Sequence, residues 1–129
     1  MGDLSDNFST IEFACKGNKC CGNTCAIDRQ LLRALESFRR VVECPVYINS
    51  GFRCNAYNSR IRGSKYSKHT KGLAADIKLV EGFTVEAMAQ IAGGVSSISS
   101  GGIGIYEWGI HVDVFKQRRR WDNRTNERN

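Results

Sequence analysis

Residues 67–79 have the sequence SKHTKGLAADIKL, which joins a polar loop to an apolar strand. The glycine and lysines of the first half are typical of a loop, and the pattern that begins at Leu73 is typical of a β-strand. His69 therefore lies in the loop and Asp76 in the strand. The two alanines before Asp76 let another backbone approach closely. The stretch predicts a histidine and a carboxylate at a loop–strand junction.

Residues 102–115, with the sequence GIGIYEWGIHVDVF, predict two further strands. Residues 103–106 and 110–115 have strand patterns, and the three residues between them form a hairpin-like link. His111 lies in the middle of the second strand, where its side chain can point inward.

His69, Asp76 and His111 form a candidate metal site. The chain has only two histidines, and both fall in these patterned stretches. Two histidines and one carboxylate are a zinc ligand set that leaves a fourth position open, as catalytic zinc requires. Zinc in such a site lowers the pKa of bound water from about 15.7 towards about 7, which supplies a hydroxide nucleophile.

A hydrolytic zinc site also needs a general base, and two residues are candidates. Period-two alternation places Asp113 on the same face as His111. Glu107 lies in the link, where a turn brings its carboxylate towards the metal. Asp113 has a second interpretation, because metal-bound histidines usually have a partner that orients them. Both roles for Asp113 stay open at this point.

The longest helix is predicted after Asp28. This residue caps the helix, in which apolar residues recur at three- and four-residue steps until Pro45 stops it. The apolar positions are Leu31, Leu32, Leu35, Phe38, Val41 and Val42.

Shorter elements complete an α+β fold, with helices packed on a small antiparallel sheet. Residues 46–48 predict a strand, and residues 55–61 predict a short helix. Another helix begins at Thr84 and ends at the glycine pair 93–94. Residues 96–102 are expected to be a flexible connector.

The length and charge of the chain limit its class. Its 129 residues predict one domain, 1–129. The net charge of +6 favours anionic partners. Residues 116–129 include six basic and two acidic residues. This segment is either a solvated tail or a binding patch. No stretch approaches the roughly 20 apolar residues of a membrane span. Residues 1–13 lack the pattern of a secretory signal, so we expect synthesis in the cytoplasm.

The six cysteines, at positions 15, 20, 21, 25, 44 and 54, have three interpretations. The spacings Cys15-x4-Cys20 and Cys21-x3-Cys25 are those of zinc knuckles. Disulfides are the second interpretation and require an oxidising compartment. Buried thiols without a partner are the third. The sequence leaves all three open.

Two motifs are highly specific in combination: SxHxxGxAxDI at residues 67–77, and GIGIY followed by IHVDV within 102–114. With SGFRC at residues 50–54 and the closing Arg120-Trp121, they resemble the zinc D-alanyl-D-alanine carboxypeptidases and the phage endolysins related to them. The resemblance covers nearly the whole chain. It implies a Hedgehog/DD-peptidase-like fold and a zinc cofactor.

The resemblance also implies roles for individual residues. The implied zinc ligands are His69, Asp76 and His111. Arg53 matches an arginine near the substrate, whose guanidinium holds a peptide carboxylate or the developing oxyanion. Ser67 resembles a substrate-contacting position.

The chain departs from its relatives at two positions. Relatives commonly have proline where this chain has Glu107, and arginine where it has Phe115. The first change supplies a candidate base, because the related Hedgehog zinc site has a glutamate soon after a similar tyrosine pair. The second replaces the residue that would make one expected charge contact.

We therefore expect a zinc-dependent metallopeptidase that hydrolyses an amide bond in the peptidoglycan stem peptide, as a D,D-carboxypeptidase or an L-Ala-D-Glu endopeptidase. A short, basic chain of this kind suggests a phage lysis enzyme or virion component that reaches the cell wall on release. Its basic segment 116–129 would hold it on anionic wall polymers.

Two other classes compete with this expectation. One is a zinc-holding, non-catalytic module that binds the wall or a protein. The other is a nucleic-acid-binding protein that uses the cysteines and residues 118–120, which predicts salt-sensitive binding that survives loss of His69. The chain lacks the aromatic-basic interleaving that would favour nucleic acid.

Overall fold

A computed structural model of the protein describes residues 2–124. In it, five strands form one sheet in the order β1-β2-β4-β3-β5. Neighbouring strands are antiparallel except for β3 and β5, which are parallel. The strands are β1 Ile48–Ser50, β2 Ala74–Lys78, β3 Gly102–Tyr106, β4 Gly109–Asp113 and β5 Arg119–Asp122. The predicted α+β class is confirmed, with a sheet that is mixed at one edge.

The described residues also form five α-helices. None of those within residues 2–124 is long and apolar enough to cross a membrane. They are α1 Thr10–Phe13, α2 Arg29–Val42, α3 Asn55–Arg60, α4 Val85–Gly93 and α5 Ser96–Ser99, with a 3₁₀ turn at Lys68–Lys71.

Helix α2 contributes a large part of the core. The Asp28 side chain accepts a hydrogen bond from the backbone N–H of Gln30, as predicted for the cap. The helix ends at Glu43, which has a left-handed conformation two residues before Pro45. The prediction was wrong for Val41, which is exposed, because it lies roughly 80° around the helix from Leu31. The buried face consists of Leu31, Ala34, Leu35, Phe38 and Val42.

Two predicted segments differ from the structure. The strand expected at residues 46–48 begins only at Ile48, because Val46 is buried in the core and the polar residues to Ser50 pair with β2 instead. Backbone hydrogen bonds make this pairing, so poor strand formers can join it. The connector expected at residues 96–102 contains α5, whose Ile98 is fully buried. Burial of this side chain gives the serine-rich segment a fixed place.

The basic segment 116–129 is not simply a tail. Arg119 to Asp122 form β5, which pairs with β3 through the register Gly104↔Trp121. Arg120 donates to the carbonyl oxygens of Ser99 and Gly101. The part of the predicted segment beyond residue 124 lies outside the described residues. Strand pairing, which local charge does not reveal, places the first part of the segment in the sheet.

Candidate metal centre and active-site cleft

His69 is held in place by the 3₁₀ turn that precedes β2. The hydroxyl of Ser67 caps this turn by accepting a hydrogen bond from the His69 N–H at 3.2 Å. Gly72 ends the turn with a φ of +72°, and a Cβ there would lie 2.1 Å from the carbonyl oxygen of Ala26. Glycine is therefore required at the point where the loop turns into the strand.

Asp76 and His111 face each other on neighbouring strands. They are paired in the antiparallel register of β2 and β4, so their side chains project from the same face of the sheet. The loop turn brings His69 to that face as well. Three separate elements thus deliver the three predicted ligands to one point.

The donor atoms of these three residues converge. The Nε2 atom of His69 and the Nδ1 atom of His111 each lie 3.1 Å from the Oδ1 atom of Asp76. All three donor atoms lie within 4.8 Å of one another. Ligands about 2.0–2.2 Å from a tetrahedral zinc ion are separated by roughly 3.3 Å. The spacing therefore fits zinc.

The other ring nitrogen of each histidine has a fixed partner. The Nδ1 atom of His69 lies 2.8 Å from the carbonyl oxygen of Gly51, and the Nε2 atom of His111 lies 2.9 Å from Oδ2 of Asp113. Both partners are acceptors, so these nitrogens carry the ring protons. When the rings are neutral, the nitrogens that face Asp76 carry no proton and each present a lone pair. Two lone pairs and one carboxylate aimed at one point form a donor set that a divalent cation satisfies.

Electrostatics at the site favour a cation. Burial alone would raise the pKa of the Asp76 carboxyl, but hydrogen bonds from His111 and His69 outweigh it and hold that pKa well below its usual range. Burial likewise opposes a charge on His111, yet its contacts with Asp113 and Asp76 raise its pKa. Protons and a metal ion therefore compete for the same donor atoms between His69, Asp76 and His111.

Asp113 lies behind His111 and is fully buried. It accepts hydrogen bonds from the backbone N–H groups of Gly102 and Phe115, and it pairs with the Arg119 guanidinium. Burial would raise its pKa, but the hydrogen bonds from His111 and Arg119 lower it to about 2. The predicted common face of Asp113 and His111 is confirmed by their contact.

Arg53 connects a neighbouring loop to the metal centre. Its Nη2 atom lies 3.4 Å from Oδ2 of Asp76, and its other nitrogens donate to Ser50 and Asn58. Its backbone N–H donates to the carbonyl oxygen of His69. The guanidinium is thus fixed at the edge of the ligand set.

A cleft of about 470 Å³ opens over these residues. Five of the residues proposed from the sequence line it: Arg53, Ser67, His69, Asp76 and His111.

The two candidate bases lie elsewhere. Glu107 lies on the exposed turn between β3 and β4, and it is not among the described residues that line the cleft. Asp113 lies beneath the ligands, closed off from solvent.

An aromatic wall of the cleft was missed by the sequence reasoning. The Trp121 ring centroid lies 5.1 Å from that of His111, and its Nε1 donates to the Tyr106 hydroxyl at 2.8 Å. Tyr106 in turn stacks on Trp108 at 4.8 Å. A signal was present in Gly104, because a glycine inside a strand marks the close approach of another group. A Cβ at Gly104 would lie 2.3 Å from the Trp121 ring.

Phe115, where relatives commonly have arginine, also has a defined place. The Lys68 ammonium lies 4.0 Å from its ring centroid and the Arg119 guanidinium 5.6 Å. The ring therefore contacts two cations. Arg119 supplies the guanidinium that pairs with the buried Asp113.

Comparison with known proteins identifies the family. The family model described as Peptidase M15 matches residues 6–113. The chain belongs to the peptidase M15 family. The protein is accordingly a zinc-dependent metallopeptidase of the wall-peptide type, and the His69, Asp76 and His111 cluster fits the zinc that this family requires. A comparison with curated proteins finds no significant match.

Proposed function

We propose that this M15 peptidase hydrolyses an amide bond in peptidoglycan stem peptides, as a D,D-carboxypeptidase or an L-Ala-D-Glu endopeptidase. The observation that carries the proposal is the convergence of two imidazole nitrogens and one carboxylate at a cleft, next to a fixed guanidinium. That arrangement suits hydrolysis of an amide whose carbonyl must be polarised. We also propose that residues 1–129 act as one domain.

In this proposal, His69 Nε2, Asp76 Oδ1 and His111 Nδ1 hold the zinc ion. Bound zinc supplies an acidic water and polarises a carbonyl oxygen. Gly51 and Asp113 hold the two rings in the tautomers that leave these nitrogens unprotonated.

Arg53 is proposed to bind the substrate. Three cationic side chains, Arg53, Lys68 and Arg119, line the cleft, and they suit a peptide that carries carboxylates. The Arg53 guanidinium, fixed by Ser50 and Asn58, would meet a substrate carboxylate or the developing oxyanion. Ser67 is proposed to contact the peptide beside it.

Glu107 is proposed as the general base in preference to Asp113. Asp113 is fully buried and uses both oxygens on His111, Arg119 and backbone N–H groups, so it suits the orientation of His111. Glu107 is exposed between Tyr106 and Trp108, which both line the cleft. Closure of this turn over the cleft would bring its carboxylate to the substrate.

The biological setting is proposed from the resemblance to phage endolysins, which favours a role in host lysis or in a virion. Wall attachment through the basic segment is also proposed, from its charge. Within the described part of that segment, residues 116–124, Arg119, Arg120 and Arg124 make contacts within the protein, and Lys116 and Arg118 are exposed.

Product analysis tests the proposal. The purified zinc-loaded protein is incubated with muramyl pentapeptide and with whole peptidoglycan, and products are identified by mass. We expect either released D-alanine or cleavage after L-alanine, with no product from His111→Ala. Arg40→Ala, on the exposed face of α2, is the control and retains activity.

A different result would favour the other class of protein. If the wild type binds one zinc ion at the His69 site and yields no product from either substrate, hydrolysis of stem peptides is overturned. The remaining candidate is then a zinc-holding module that binds the wall without cutting it.

The base assignment has its own test. Glu107→Gln removes the carboxylate while keeping its size, and we expect kcat to fall about 10²–10⁴-fold. Zinc content should be unchanged. Glu81→Gln, an exposed acid in another turn, is the matched control. Full activity of Glu107→Gln would assign the base elsewhere.

A further inference from the structure

Four cysteines outside the cleft lining gather into one cluster. The sulfur atoms of Cys15, Cys20, Cys21 and Cys54 all lie within 4.8 Å of one another. All six cysteines of the chain are free thiols. Of the two predicted knuckle pairs, Cys15 and Cys20 both belong to the cluster. Cys21 also belongs to it, but Cys54 and not Cys25 is the fourth member.

The separations of the sulfurs are those of metal ligands. Cys20 Sγ lies 3.9 Å from Cys15 Sγ and 3.9 Å from Cys21 Sγ. A disulfide bond would need about 2.0 Å. Four thiolates about 2.3 Å from a tetrahedral zinc ion lie roughly 3.8 Å apart. The cluster has the dimensions of a closed Cys₄ zinc site.

Backbone N–H groups point at three of the sulfurs. Cys54 N–H donates to Cys15 Sγ at 3.5 Å, Tyr57 N–H to Cys54 Sγ at 3.4 Å, and Thr24 N–H to Cys21 Sγ at 3.4 Å. Such donors stabilise a thiolate, which is the form of cysteine that binds metal.

The loop that carries three of these cysteines has no regular secondary structure. Residues 15–28 contain neither helix nor strand. Lys19, Gly22 and Asn23 have left-handed backbone conformations. A Cβ at Gly17 would lie 2.6 Å from Cys20 Sγ, so the backbone wraps closely around the cluster. A metal cross-link would compensate for the small apolar burial of such a loop.

We propose that Cys15, Cys20, Cys21 and Cys54 bind a second, structural zinc ion. With four protein ligands the site has no open position, which suits structure and not catalysis. Cys54 directly follows Arg53, so the ion fixes the N-terminal loop to the segment whose guanidinium contacts Asp76.

Metal counting with cobalt(II) tests this site separately from peptidase activity. Protein purified under reducing conditions is stripped of metal and reconstituted with zinc or cobalt(II). We expect two equivalents in the wild type, with the intense thiolate-to-cobalt charge transfer and tetrahedral bands of a sulfur-rich site. His111→Ala should lose one equivalent and keep these bands.

Cysteine variants provide the matched comparison. Cys20→Ser and Cys54→Ser should each lose the thiolate bands and one equivalent of zinc. Cys44→Ser, outside the cluster, should keep both equivalents. If a cluster variant fails to fold, the wild-type spectrum and metal count still decide the matter.

Two results would overturn the proposal. One is a wild-type protein that binds a single equivalent with no thiolate bands. The other is a folded protein whose four cluster cysteines resist alkylation because they are joined in disulfides, with no metal beyond the histidine site. Neither result bears on peptidoglycan cleavage, so this inference and the proposed function fail independently.

Discussion

The Nε2 atom of His111 lies 2.9 Å from the Oδ2 atom of Asp113, two residues further along β4. Because successive strand residues point to opposite faces, this spacing puts both side chains on one face. The contact turns the Nδ1 atom of His111 towards Asp76. The two-residue spacing thus sets the orientation of a candidate ligand, His111.

Asp113→Asn should weaken zinc binding at the histidine site. Asparagine has one acceptor oxygen where aspartate has two, so it cannot accept all the hydrogen bonds from His111, Arg119 and the backbone. The His111 ring therefore loses its fixed orientation. We expect zinc affinity to fall about 10–100-fold, measured by competition with a chelator. Asp122→Asn, an exposed residue of β5, is the control. Unchanged affinity in Asp113→Asn would mean that other contacts orient the ring.

The stability of the metal-free protein should have a maximum in mildly acidic solution. Asp76 and Asp113 have lowered pKa values in the folded protein, so they stabilise the fold when the pH is above about 3.9, the ordinary pKa of aspartate. This contribution is lost as the pH falls, for Asp113 towards a pH of about 2. The raised pKa of His111 stabilises the fold below about 6.5 and loses its effect as the pH rises through the native value.

Urea unfolding in the presence of a chelator measures this profile. We expect the free energy of unfolding to be largest between about pH 4 and pH 6.5. A steady rise through pH 8 would contradict the proton-linked contribution of His111. Added zinc should move the maximum to higher pH, because the ligands bind metal in their deprotonated form.

Gly104→Ala should disturb the aromatic wall of the cleft. The new Cβ would lie 2.3 Å from the Trp121 ring, so the indole must move away from His111 and Tyr106. We expect a loss of about 1–3 kcal/mol in stability and a change in tryptophan fluorescence. Gly93→Ala, whose Cβ would meet only a distant Ile103 methyl group, is the control. An unchanged spectrum would show that β5 adjusts without moving Trp121.

Arg53→Lys should reduce turnover without loss of zinc. Lysine keeps the charge, but its single ammonium group cannot replace the planar guanidinium that contacts Asp76, Ser50 and Asn58 together. We expect kcat/KM to fall on the order of 100-fold, in steady-state assays on stem peptide. Arg40→Lys on α2 is the matched control. A change in zinc content would instead indicate that Arg53 supports the ligands.

The local patterns of the chain predicted strands β2, β3 and β4 and the candidate ligands. The alternation around Asp76 and around His111 was enough to place each on a strand, since period two is a property of neighbouring residues. The helix cap at Asp28 was likewise predictable from the sequence, because capping involves atoms only two or three residues apart.

The tertiary structure decided which residues meet. The register that pairs Asp76 with His111, the Gly51 carbonyl behind His69 and the contact between Arg53 and Asp76 all join distant parts of the chain.

The cysteine cluster and β5 show the same limit. Cys54 reaches Cys15 across 39 residues, and Arg119 to Asp122 become a strand by pairing with β3. The sequence by itself determined the donor types, the strands that carry the candidate ligands and the family motifs. Only the fold decided their partners, because strand register and loop closure depend on the packing of the whole chain and not on adjacent residues.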